Sequence, residues 1–174
     1  MSTPEFARPL RVDTIGDEPR TIAIEADAAE RAALTKRFGL IGIDRLTGNL
    51  TLRRDAAGIV AEGRVAATLT QACSITGDPL PAAIDEPIAL RFVPEDEATQ
   101  DEIELGDHDV DVIAYDGGAI DLGEVAAETM ALALDPFPRG PNAEAALRDA
   151  GVLSEGEAGP FGALAGLKDK LAGK

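Results

Sequence analysis

The chain contains no tryptophan, one tyrosine, one histidine and one cysteine among 174 residues, and aromatics make up only 3%. With so few rings, a core must be assembled from Ile, Leu, Val and Ala. A single cysteine cannot form an internal disulfide, so nothing demands an oxidising compartment. No apolar run approaches the ~20 residues that cross a bilayer, and the opening MSTPEFARPL lacks a charged region followed by an apolar one. A soluble cytoplasmic protein without membrane contact is expected.

Catalytic side chains are equally scarce. Cys73 and His108 lie more than thirty residues apart, so pairing them would depend wholly on the fold, and a buried thiol with an exposed imidazole is the plainer reading. Asp107, Asp109 and Asp111 open like a calcium loop, but Val112 and Gly118 stand where that loop needs Gly and Glu. Gly117-Gly118 is not a GxGxxG phosphate cradle, and acids crowd it. No enzyme, metal or cofactor is expected.

Positive charge is also missing from half the chain. Residues 1 to 71 hold ten Lys or Arg against ten Asp or Glu, whereas residues 72 to 174 hold six against 22, which accounts for the whole net charge of -16. Such a field repels phosphate backbones and steers cationic polypeptides inward. Solubility alone is the bland alternative. Between Glu95 and Asp111 stand nine carboxylates and no Lys or Arg, the pattern of a solvated loop or a docking patch.

The most fully specified stretch is 115 to 139, YDGGAIDLGEVAAETMALALDPFPR. Asp121 fits a helix N-cap, with Glu124 answering as a capping box and Ile120 and Val125 as a hydrophobic staple. Leu122, Val125, Ala126, Thr129, Met130 and Ala133 follow helical spacing on one face. Asp121, Glu124 and Glu128 lie on the other, a row of carboxylates. Asp135-Pro136 ends the helix.

Upstream, Leu10, Val12 and Thr14 alternate as a strand, and Ile22 with Ile24 as a second, joined by the turn Gly16 to Pro19. Asp27 and Glu30 predict a capping box for a helix carrying Leu34 and Phe38 and stopped by Gly39. From Leu40 to Val93 the pattern is consecutive antiparallel strands. Turns are read at Thr47-Gly48-Asn49, Asp55 to Gly58 and Gly77-Asp78-Pro79, with a bulge at Gly63 and an edge or bend at Pro87. A last strand spans Asp109 to Tyr115. Beyond Arg139, Ala143 to Ala150 predicts one or two helical turns. Leu164, Leu167 and Leu171 predict a partner-induced amphipathic helix in an otherwise flexible tail.

These elements predict an α+β fold: an antiparallel meandering sheet or small open barrel with two helices packed on it, as one domain over residues 1–140 and a tail over 141–174.

Two motifs carry a resemblance. Tyr115, Gly117-Gly118, Ile120 to Glu124, Glu128 and Leu132 to Arg139 resemble the signature segment of the YceD family, the large ribosomal RNA subunit accumulation proteins. Thr70 to Leu80, containing Cys73, then Phe92 and Pro94, resemble its central cysteine strand and turn. Pro160 to Leu164 is a looser likeness. The cysteine cluster that many such proteins carry after the proline-rich exit is absent here, so no zinc site carries over.

The resemblance implies a factor in 23S ribosomal RNA accumulation and large-subunit assembly. The family's usual gene neighbour, a small basic ribosomal protein of the large subunit, is the implied partner. The charge map adds a mechanism, in which a monomer uses an acidic surface at Asp121, Glu124, Glu128, Asp116 and Asp135, with Arg139, to hold that protein, and RNA contact is indirect. A direct RNA-binding module using Arg31, Arg37, Arg53 and Arg54 is the alternative.

Overall fold

The computed structural model describes residues 4–95 and 111–152, and within them ten strands and α-helices form. They are β1 (Pro9–Arg11), β2 (Arg20–Glu25), α1 (Ala28–Arg37), β3 (Gly42–Asp55), β4 (Gly58–Ala72), β5 (Pro79–Pro94), β6 (Asp111–Tyr115), β7 (Ala119–Asp121), α2 (Leu122–Leu132) and α3 (Ala143–Asp149). The backbone forms two compact units, Met1–Gln71 with Pro81–Pro136, and Ala72–Leu80 with Phe137–Lys174.

In the first unit, five strands form one open sheet in the order β2-β3-β4-β5-β6, and β1 pairs with β7 in a separate two-stranded ribbon. The predicted α+β class holds, as an open sheet rather than a barrel. Alternation explains its sidedness, because successive strand residues point to opposite faces. Leu46, Leu50 and Leu52 of β3, Val65 and Leu69 of β4, and Ile84, Ile88 and Phe92 of β5 are buried. Leu34 of α1 and Leu122, Val125, Ala126 and Met130 of α2 join them in one cluster. Each such aliphatic chain contributes roughly 1.5–3 kcal/mol when fully buried. The other face carries Thr47, Asn49, Thr51 and Arg64, none of them buried, with Thr21 and Thr51 sharing a 2.9 Å hydroxyl hydrogen bond across strands.

Several local expectations are realised. Asp27 and Glu30 form both halves of the capping box of α1, and Gly39 follows the helix with φ 64°. Asp55 and Gly58 close the β3–β4 hairpin, where the Asp55 carboxylate accepts from Ala57 N–H at 2.9 Å. Gly77 takes φ 74° at the turn before β5. Residues 143–149 form α3 in the second unit.

Others are corrected. Thr47-Gly48-Asn49 is no turn: β3 runs unbroken from Gly42 to Asp55 because β2 pairs with it on one side and β4 on the other. Turn chemistry loses to two ladders of hydrogen bonds. Gly48 is needed for packing, since a Cβ there would meet Ile24 Cγ1 at 3.0 Å. The bulge lies at Ile43/Arg45, not at Gly63, which pairs in register with Leu50. A Cβ on Gly63 would fall 2.0 Å from Asn49 O, so close backbone approach explains that glycine. The first strand stops at Arg11, and Val12–Thr14 make a single 3-10 turn. Arg54 secures that turn by donating to Val12 O at 2.6 Å and Ile15 O at 3.1 Å.

The sheet is not wholly antiparallel. β6 runs parallel to β5, from Leu90↔Asp111 to Pro94↔Tyr115. The acidic run of residues 95–111 lies mostly outside the described residues, as do His108 and the amphipathic pattern at 164–171.

Candidate partner-binding site

The first turn of α2 is a junction, not an open row of acids. Asp121 Oδ1 accepts from Gly123 N–H at 2.9 Å and Glu124 N–H at 3.3 Å, which is the predicted cap. It also accepts from Arg8 N–H at 2.7 Å, and so ties the N-terminal segment to the helix. That segment crosses α2 so closely that a Cβ on Gly123 would lie 1.8 Å from Phe6 O. Gly123 is therefore a backbone-approach glycine.

Glu124 does not complete a capping box. Its carboxylate is gripped by both terminal nitrogens of Arg37 at 2.9 and 2.6 Å, and Arg37 also reaches Glu5 at 3.2 Å. Arg8 makes the parallel arrangement one step away, donating to both oxygens of Glu30 at 2.6 and 2.9 Å. Each guanidinium also stacks on a ring, Arg8 over Phe6 at 4.6 Å and Arg37 over Phe38 at 5.0 Å. The Arg37 guanidinium holds the Glu124 carboxyl below its usual range, and Arg8 does the same for Glu30. Arg37 is raised in turn by Glu124. With side chains only 32% and 29% exposed, Arg37 and Glu124 are a clamp between α1 and α2.

The other expected site residues separate. Glu128 is exposed on α2, and Asp116 is exposed in the turn between β6 and β7; neither makes a hydrogen bond or ion pair among the described residues. Asp135 is exposed at the helix exit, and its main-chain oxygen accepts from Gln71 Nε2 at 2.9 Å. Arg139 is an exposed cation of the second unit.

The cations proposed as phosphate contacts are mostly engaged within the fold. Arg31 donates to Ala26 O at 2.6 Å, Arg37 is clamped as described, and Arg54 holds Val12 and Ile15. Arg53 lies 3.6 Å from Asp55 in a half-exposed pair. Arg91 takes the same Asp55 at 2.7 Å, and Arg64 takes Asp85 at 2.8 Å.

Cys73 is buried at 3% exposure in the second unit, at the head of the turn that continues to Gly77. The Thr76 hydroxyl, then the N–H groups of Gly140, Thr76 and Ile75, stabilise its thiolate and pull the thiol down to about 7. The Gly140 N–H donates to Sγ at 3.3 Å, and Ser74 N–H and Oγ both donate to Pro138 O. These bonds join the cysteine turn to the proline-rich exit, the second half of each motif that carried the resemblance. Among the described residues no cluster of three His, Cys, Asp or Glu could hold a metal, and no helix is long and apolar enough to cross a membrane.

Comparison with known proteins returns one family. The profile described as large ribosomal RNA subunit accumulation protein YceD matches residues 61–168, more than half of the chain. No characterised protein and no solved structure matches. The matched span starts in β4 and contains the cysteine turn, the β6–β7 turn, α2 and its exit. On that match, this chain belongs to the YceD family of large ribosomal RNA subunit accumulation proteins.

Proposed function

We propose that the protein is a non-enzymatic cytoplasmic factor that supports accumulation of 23S ribosomal RNA by holding a small basic ribosomal protein of the large subunit on an acidic surface. The family's description supplies the ribosomal role. One observation favours a protein partner over RNA: the cations of the first half are largely spent on internal carboxylates and carbonyls. Arg8, Arg11, Arg31, Arg37, Arg53, Arg54 and Arg64 all make such bonds. Nucleic-acid affinity comes mainly from free cations that displace counterions, and few remain. Carboxylates such as Glu128 and Asp116 stay exposed and attract the opposite charge.

Asp121 and Glu124 act in this reading by building the surface, and Glu128 and Asp116 by facing the partner. A monomer suffices for it. The direct test is a pull-down from cell extract at low and high salt, comparing the native chain with a Asp116→Lys, Glu128→Lys double variant. The expected result is salt-sensitive recovery of a basic large-subunit protein that the variant loses. Recovery of ribosomal RNA alone, unchanged in the variant, would support the RNA-binding alternative.

A further inference from the structure

β5 is a long strand with only part of its outer edge used. β6 pairs with it from Leu90 to Pro94, so residues 79 to 89 have no strand on the side away from β4 among the described residues. Unpaired edges are the usual entry points for an added chain, and natural sheets blunt them with proline or charge. Here Pro87 removes one donor and Glu86 supplies a charge, yet an apolar groove remains beside them. This open groove has a volume of about 380 Å³ between the edge and the last turn of α2, and Pro87, Ala89, Leu90, Leu132 and Ala133 are among its lining residues.

Leu132 is 87% exposed on this groove. Covering a leucine so placed with a partner's apolar side chain favours binding, because it removes apolar surface from water. The rim has one sign of charge. Glu86 and Asp111 stand in the groove wall, and Glu128 lies one helical turn before Leu132 on the same side of α2. None of the three makes a hydrogen bond or ion pair among the described residues, and Arg64, which acts on Glu86 at longer range, is itself held by Asp85. An uncharged apolar ligand would leave these carboxylates unanswered. A cationic one would answer them.

Resting on the reading above, we propose that this groove seats an extended segment of the basic partner, with one apolar side chain over Leu132 and flanking Lys or Arg residues on Glu86, Asp111 and Glu128. Among the described residues no strand pairs with the edge of β5 away from β4 on either side of Pro87, and its backbone there offers the segment donors and acceptors. The two kinds of contact differ kinetically, since rim charges act mainly on association and a buried apolar anchor on dissociation.

The test uses the full chain against a panel of purified small basic ribosomal proteins of the large subunit, with association and dissociation rates measured at low and high salt. Leu132→Ser should weaken binding about ten-fold through faster dissociation, an effect that survives high salt. A Glu86→Lys, Asp111→Lys double variant should slow association about ten-fold at low salt and lose that difference at high salt. All three substituted positions are exposed, so circular dichroism and thermal unfolding should match the native chain. Binding that neither variant alters would overturn the groove and leave the basic-partner reading standing. Failure of every basic protein to bind the native chain would overturn both. Self-association that Leu132→Ser abolishes would assign the groove to a second copy and overturn its assignment to the basic partner.

Discussion

At the scale of single residues, the strongest constraints are close approaches that only the assembled chain reveals. Gly123 illustrates this: in a helix, Gly to Ala ordinarily gains about 1 kcal/mol. Here the added Cβ meets the Phe6 carbonyl at 1.8 Å, so Gly123→Ala should instead cost about 1–3 kcal/mol, the range for forcing atoms into a filled site. Urea unfolding of the variant measures the sign, and a stabilised protein would contradict the crossing of segment 6–8 over α2. Cys73 offers a second reading at this scale. Its thiolate should titrate with a midpoint near 7, followed by ultraviolet absorbance, and Thr76→Val should move that midpoint upward. A native midpoint close to the ordinary 9.0 would mean that the Thr76 and Gly140 donors do not reach the sulfur.

Elements were legible where a local rule acts alone. Asp27 with Glu30, Asp121 before α2, and the alternation of β2 to β5 all lie within a few residues of what they specify. What failed needed a distant partner. Thr47-Gly48-Asn49 has turn residues but two neighbouring strands, and Val12 to Thr14 alternate but are bent by Arg54 from 40 residues away. The candidate site divides in the same way. Composition could show an excess of acid but not that Glu124 answers Arg37, 87 positions earlier.

The pair predicts a pH signature. Because Arg37 lowers the Glu124 pKa in the folded state, its stabilisation is complete above the unfolded value of about 4.3 and is lost as pH falls through the lower folded value. Glu124→Gln should therefore cost about 1 kcal/mol near neutral pH, and the difference from the native chain should shrink toward zero in acid. A difference that persists undiminished as the pH falls through the lowered folded value would show that the contact is not ionic.

For the whole molecule, what matters is where each sign of charge ends up after folding. The first half brings ten cations and most are consumed internally; the second half brings the full -16. Exposed carboxylates attract cations, and the partner we propose is a basic protein of the large subunit, in keeping with the YceD family's description. The most direct measurement is a parallel equilibrium titration of the purified chain with a small basic large-subunit ribosomal protein and with a 23S ribosomal RNA fragment, at low salt. The account predicts that the basic protein binds, more weakly as salt rises, and that the RNA fragment does not. Tight binding of the RNA fragment, with the basic protein inert, would contradict it.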